Sequence, residues 1–479
     1  MQRAGVYMLI CVGAAIVTLP PVFGILTESQ FRQRIDEIND YGIWSFELNA
    51  FERGWFGSSA MIDVRLSSEA LPQLGSASGD DEQTAAVRDL LDERLAVLVD
   101  VAHGPVVLRN GPFVGLAGVT ARPDPTEPDT AALEDSLGIP YLFEFRGRAS
   151  LLGGLRFDAD VPAIDYATGD YEAVFSGIQL EGGLNGNELV AHLEIDSFAW
   201  SNPLIAVSVD AITMNADTEF LTRYQWLGDV ELLIGQTLVV DRTVGGEPVF
   251  QSGNIAVRGE SDQNGEGTLL TTYATYAADY LNFGERFRFT DAQVVVGLDS
   301  LDADAMNDLM AAQAQLEVLA AETADPMLLL MPVFLRLLAA EPTLSIDPIG
   351  FAMDDEPFEA NVHVRTDAAA LPETAAALIA DPTLLVDAVT LEAEAAASQA
   401  LALRIATELV RQQLAAGTPD GVVPGGIEDM VEAQASAMLG GVVAQGFLVA
   451  DGDAYRVEFE LVNGAASLNG SPLPLLSFR

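Results

Sequence analysis

Between Tyr141 and Leu298, apolar and polar residues alternate strand after strand, and this period of two constrains the fold more than any other feature. Leu155, Phe157, Ala159 and Val161 alternate with Arg156, Asp158 and Asp160, while Ala191, Leu193 and Ile195 alternate with His192, Glu194 and Asp196. Ile205, Val207, Val209 and Ala211 repeat the pattern. Gly153-Gly154, Asn185-Gly186-Asn187, Gly245-Gly246 and Gln263-Asn264-Gly265 punctuate it. Such clusters make hairpin turns because glycine and asparagine tolerate positive φ. A helix would scatter these apolar side chains round its axis, whereas a strand gathers them on one face. The pattern predicts a long antiparallel meander with one apolar and one wet face. Tyr273, Tyr276 and Tyr280 have helical spacing, yet their β-propensity and setting favour a strand.

The flanking regions mix strands with helices. Ile43–Leu48 and Met61–Leu66 read as strands joined through the glycine-bearing stretch Phe51–Ser59. Thr84 to Leu98 has the three- and four-residue apolar spacing of a helix, and Val99–His103 reads as a strand ended by Gly104-Pro105. Asp302 is placed to cap a helix, and Pro326 to open the apolar helix Met327–Leu338, which Pro332 should kink. That segment, about 12 residues, is too short to cross a bilayer. Strands are expected at Phe358–Val364 and Val389–Ala395, and helices at Ser398–Ala416 and Ile427–Leu439. A closing hairpin turns at Asn463-Gly464, with Tyr455, Val457, Phe459 and Leu461 facing inward. The expected class is α+β, β-dominated: an N-terminal transmembrane helix, then an elongated, curled antiparallel β-sheet with a few covering helices. The curl is expected because long open sheets twist.

The N-terminal helix is the uncharged run Ala4–Leu26. Its length, roughly 34 Å as a helix, matches a hydrocarbon core of about 30 Å. Pro20-Pro21 should end or kink the regular part. Val22 and Gly24 also suit cleavage after Gly24, so a retained anchor and a cleaved signal both stand, the anchor first. Residues 1–26 are then a signal-anchor and 27–479 a domain outside the membrane. Arg3, the only charge ahead of the run, favours a cytoplasmic N-terminus.

The chain carries 71 acidic and 23 basic residues, a net charge of −48, and no lysine at all. Nucleic acid is excluded as a partner, because binding phosphates along a strand needs a basic footprint. Electrostatic docking on anionic headgroups is disfavoured for the same reason. The composition suits a surface adapted to concentrated salt. One cysteine, Cys11, and three histidines, His103, His192 and His363, leave no disulfide framework, no metal-binding spacing and no nucleophile–base motif. With 71 carboxylates, acid pairs such as Asp158/Asp160 or Asp354-Asp355 arise by chance and read as solvated. The expected sets of catalytic, cofactor-binding and metal-binding residues are all empty.

Arg53-Gly54-Trp55-Phe56, then His103-Gly104-Pro105, then Val462-Asn463-Gly464-Ala465-Ala466-Ser467-Leu468-Asn469-Gly470 follow one another in a chain that starts with an apolar run. In order and spacing this set resembles the YdgA-like family of bacterial envelope proteins, whose domain has no assigned function. The resemblance implies a retained inner-membrane anchor, with the rest of the chain in the periplasm, and supplies no catalytic residue. Two places stand out as apolar ligand or packing surfaces: Trp55 and Phe56, and the group Met327, Leu330, Met331 and Phe334 on the apolar helix. The expected function is non-enzymatic, binding lipid or a lipidated partner in an apolar β-groove. The alternative is a periplasmic scaffold working through protein contacts.

Overall fold

A computed structural model describes residues 44–479 apart from several stretches, the longest being 67–93 and 417–427, together with Arg32, Ile35 and Asn39. The uncharged run 4–26 and the first ten residues of the helix expected over 84–98 lie outside the described residues. Among the described residues, no helix is long and apolar enough to cross a membrane. Strands dominate, every registered pair is antiparallel, and the described chain divides into two compact units.

The first unit comprises residues 1–203 and 211–215. It opens with β1 (Trp44–Arg53), β2 (Gly57–Leu66) and β3 (Leu95–His103), followed by the short β4 (Val106–Val107) and β5 (Phe113–Val114). Next come β6 (Ala117–Pro123), helix α1 (Pro128–Leu137), β7 (Glu144–Ala149), β8 (Leu155–Val161) and β9 (Ile164–Thr168). β10 (Tyr171–Phe175), β11 (Ile178–Asn185), β12 (Glu188–Ile195) and β13 (Phe198–Ser201) complete it. The main ladder runs β1-β2-β3-β6-β7-β8-β11-β12, and β9-β10-β13 form a second one.

Leu95–Leu98 correct the sequence reading: they begin β3 and do not end a helix. Val97, Val99 and Val101 stand opposite Ile62, Ala60 and Ser58 of β2, and opposite Pro123, Ala121 and Val119 of β6. In this register the β-branched side chains join Ala60, Ile62, Ala117 and Ile35 in a buried cluster. Each fully buried valine contributes about 1.5–3 kcal/mol, more than the few tenths by which helix propensities differ.

The meander expected from Tyr141 onward is present, with regular interruptions. β8 breaks from β9 at Pro162-Ala163, β10 from β11 at Ser176-Gly177, and β12 from β13 at Asp196-Ser197. These breaks lie side by side. Ser176 N donates to Ser197 O at 3.0 Å, and Ser197 N donates back to Ser176 Oγ at 2.9 Å. Pro162 has no N–H to give a ladder.

The second unit comprises residues 204–210 and 216–479. Its strands are β14 (Ile205–Val209), most of β15 (Ile212–Phe220), β16 (Trp226–Ile234), β17 (Thr237–Asp241), β18 (Glu247–Ser252), β19 (Ile255–Gln263), β20 (Leu269–Phe283) and β21 (Phe287–Asp302). Helices α2 (Ala303–Leu319) and α3 (Pro326–Ala339) precede β22 (Thr343–Met353) and β23 (Glu356–Thr366). The short α4 (Ala375–Ala380) and α5 (Leu384–Ala388) precede β24 (Val389–Ser398). α6 (Gln399–Ala416) and α7 (Glu428–Ala444) are followed by β25 (Val449–Asp451), β26 (Ala454–Val462), β27 (Ala465–Leu468) and β28 (Ser471–Leu473). The ladder runs β16-β19-β20-β21-β22-β23-β24-β26-β27-β28.

Several local expectations hold here. The tyrosines lie on β20, and Asp302 caps α2 by accepting from Ala305 N at 2.7 Å. Asn463-Gly464, at φ 49° and 74°, makes the expected tight turn. Asp354-Asp355 turn out to be a turn of the same kind, at φ 51° and 70°, between β22 and β23. Aspartate reaches this region more readily than most residues. α7 runs five residues beyond the expected Leu439, through Gly440-Gly441. It packs on α6 through Ala406, Val410, Val431 and Ala435, all at most 2% exposed.

Candidate functional site

The main ladder of the first unit puts one continuous apolar row set on one face. Phe145, Gly147 and Ala149 of β7 stand opposite Ala159, Phe157 and Leu155 of β8. Val161, Ala159 and Leu155 then face Ile178, Leu180 and Leu184 of β11, and Leu180 and Leu184 face Leu193 and Leu189 of β12. Phe145 and Phe157 stack with ring centroids 6.0 Å apart. At the β1–β3 end this face is sealed, with Val99 and Val101 at most 3% exposed. Across β8, β11 and β12 no residue is fully buried, so the same face stays half-covered. The second unit has its own apolar file, in which Phe250, Phe283, Phe289, Phe351 and Phe358 touch in sequence at 4.8–6.1 Å between centroids. The first unit's file is built by alternation, which the sequence displays; the aromatic file depends on cross-strand register, which it does not.

The opposite face of β7–β12 is charged. A concavity of about 590 Å³ there is lined by Arg148, Arg156, Asp158, Glu181 and His192 among others. The Asp158/Asp160 pair is not simply solvated. Arg146 lies 3.4 Å from Asp158 and 3.8 Å from Asp160, and Tyr141 donates to Asp160 at 2.6 Å. That hydrogen bond, burial and the nearby negative charge push the Tyr141 phenol up to about 12.

The two sequence-derived surfaces belong to different units. Trp55 and the side chain of Met327 lie outside the described residues. Phe56, in the first unit, is 59% exposed and packs into no core. Leu330, Met331 and Phe334 lie on α3 in the second unit, where Leu330 and Met331 are half-buried and Phe334 is 40% exposed. The helix is not apolar all round in its setting: Leu337 is buried, whereas Arg336 is exposed and pairs with Asp308 of α2.

One pair escaped the sequence reading. Ser58 and His103, 45 residues apart, meet across β2 and β3 with Ser58 Oγ 2.8 Å from His103 Nε2. They are 7% and 3% exposed, and Nδ1 of His103 has no partner. No carboxylate bonds His103 among the described residues, so nothing orients the ring as a catalytic base is oriented. Burial, with Arg53 adding to it, holds the imidazole below its ordinary value of 6.5. The unfolded chain therefore takes up a proton as pH falls through 6.5 while the folded chain does not, and stability falls. The melting temperature of the protein should drop between pH 7.5 and 5.5, above the carboxylate range, and His103→Gln should flatten that slope. An unchanged slope in the variant would remove His103 as its source.

Among the described residues, no group of three His, Cys, Asp or Glu side chains is arranged to hold a metal. A family model described as a bacterial protein of unknown function (DUF945) matches residues 3–476. No curated protein and no solved structure matches the chain.

Proposed function

Since the chain belongs to this DUF945 family of bacterial proteins, we propose that it is a non-enzymatic envelope protein that holds an acyl chain against its half-covered apolar sheet face. The carrying observation is the row set Leu155, Phe157, Leu180 and Leu193, apolar on every strand and fully buried on none. The aligned breaks at Pro162, Gly177 and Ser197 support a sheet that curls into an elongated trough. Each methylene taken from water contributes about 0.8 kcal/mol, so eight give roughly 6 kcal/mol before ordering costs. In this reading Leu330, Met331 and Phe334 are a separate apolar surface of the second unit, and Phe56 a contact at a strand tip of the first. The run 4–26 anchors the chain in the inner membrane with the remainder in the periplasm, as its uncharged length and the YdgA-like motif order suggest.

Lipid mass spectrometry on the gently solubilised full chain tests this reading. Wild type should carry lipid, and Leu193→Asp should lower it several-fold in protein that remains folded. Glu194→Gln, on the charged face, should not. If wild type carries no lipid, the acyl-chain reading fails and the scaffold reading replaces it.

A further inference from the structure

The strand ends of the first unit line up along one edge. Phe56 O accepts from His103 N at 2.9 Å, and Gly104 N donates to Leu116 O at 2.6 Å. Leu116 N donates to Ala149 O at 2.9 Å, and Ser150 N to Gly154 O at 2.8 Å. This chain of backbone bonds sets the β1–β2 turn, the end of β3, the link before β6 and the β7–β8 turn side by side. From these tips project Phe56, Val114, Leu151 and Leu152, at 59%, 66%, 49% and 97% exposure. A lone exposed leucine is ordinary; four large apolar side chains on adjoining tips of one edge are not.

The charge along this edge is the reverse of the chain's. None of the 71 acidic residues falls in 53–62, 101–123 or 145–157, whose described residues build it. Arg148 and Arg156 stand directly opposite each other in the β7–β8 register, one row behind Ala149–Leu155, the last registered pair before the turn that carries the two exposed leucines. Like charges directly opposite each other repel, and both arginines share a concavity with Asp158 and Glu181. Arg148 lies over the Phe113 ring, 5.7 Å from its centroid. Arg156 makes no ion pair among the described residues.

We propose that this edge docks on a zwitterionic bilayer surface. The apolar tips enter the boundary between headgroups and acyl chains, and the paired arginines meet lipid phosphates, whose oxygens match the guanidinium fork. A strongly anionic surface fits less well, because the net charge of −48 repels it at distances up to a Debye length of about 8 Å. The net charge argues against electrostatic docking of the whole molecule, but the tips are a local exception that carries no acid; the nearest, Asp158 and Glu181, line the concavity behind them with Arg148 and Arg156.

The test uses the full chain with Cys11→Ser and Leu152→Cys, labelled with an environment-sensitive fluorophore and mixed with phosphatidylcholine vesicles carrying nitroxide lipid. A label at Tyr171→Cys, at the start of β10 next to the β9–β10 turn and 53% exposed in the native residue, is the control. The label at 152 should shift to the blue and be quenched several-fold more than the label at 171. Arg148→Gln with Arg156→Gln should cut that quenching by half or more. Equal quenching at both positions, as from general adhesion through the run 4–26, overturns the proposal. So does a label at 152 that stays in water.

Discussion

Gly104→Ala is expected to destabilise the first unit by about 3 kcal/mol or more, at the upper end of what overpacking costs. A Cβ at Gly104 would fall 1.7 Å from Gly115 O and 2.9 Å from Leu116 O. Both obstacles are main chain, and neither can yield. Gly104 N already donates to Leu116 O at 2.6 Å, while Leu116 N holds Ala149 O at 2.9 Å. Gly115 is pinned in turn, because its own Cβ position lies 2.5 Å from Ala149 O. The close approach joins the end of β3 to the strands beyond it, so the loss should reach the whole β1–β7 ladder. Denaturant melts of wild type, Gly104→Ala and Gly265→Ala measure it. Gly265 has open space where its Cβ would sit, and that variant should melt close to wild type. Coincident melts for all three would mean that the strand ends do not meet as described.

Moving from dilute buffer to molar sodium chloride should raise the melting temperature by roughly 4–8 °C, from about 2 kcal/mol of relieved repulsion at 2–4 °C per kcal/mol. Net charge alone motivates the sign. The registers locate the repulsion: Glu392 stands opposite Glu460, Glu394 opposite Glu458, Asp229 opposite Glu260, and Asp158 opposite Glu181. Like charges directly opposed cost some tenths to 1 kcal/mol each. Arginine offsets part of this, since Arg456 reaches Glu394 at 3.3 Å and Arg146 reaches Asp158 at 3.4 Å. Salt screens what is left exposed over about 3 Å at molar strength. Glu460→Arg, which places a cation opposite Glu392, should raise the melting temperature in dilute buffer and shrink the salt effect. A flat or falling melting temperature in wild type would count against a surface adapted to salt.

Periodicity and turn chemistry are local properties, and they carried most of the strand pattern. Leu155 to Val161, Leu189 to Ile195 and Tyr455 to Leu461 each present their apolar side chains to one face as alternation requires. Asn463-Gly464 turns where its backbone preference says, and Asp302 caps the helix it precedes. The helical spacing misled at Leu95 to Leu98 because the same leucines and valines also suit a buried strand, and only the neighbours β2 and β6 decide between the two. Register between strands depends on which segments meet, so no single stretch could reveal the Ser58–His103 pair, the opposed arginines at 148 and 156, or the phenylalanine file of the second unit. The edge with its acid-free tips follows the same rule. Its gaps in acidity are visible along the chain, but only backbone bonds between distant strand ends gather them with Phe56, Val114 and Leu152 into one surface. What the amino-acid sequence determined by itself is which face of each strand is apolar; tertiary pairing decided how far that face is covered and which tips stand together.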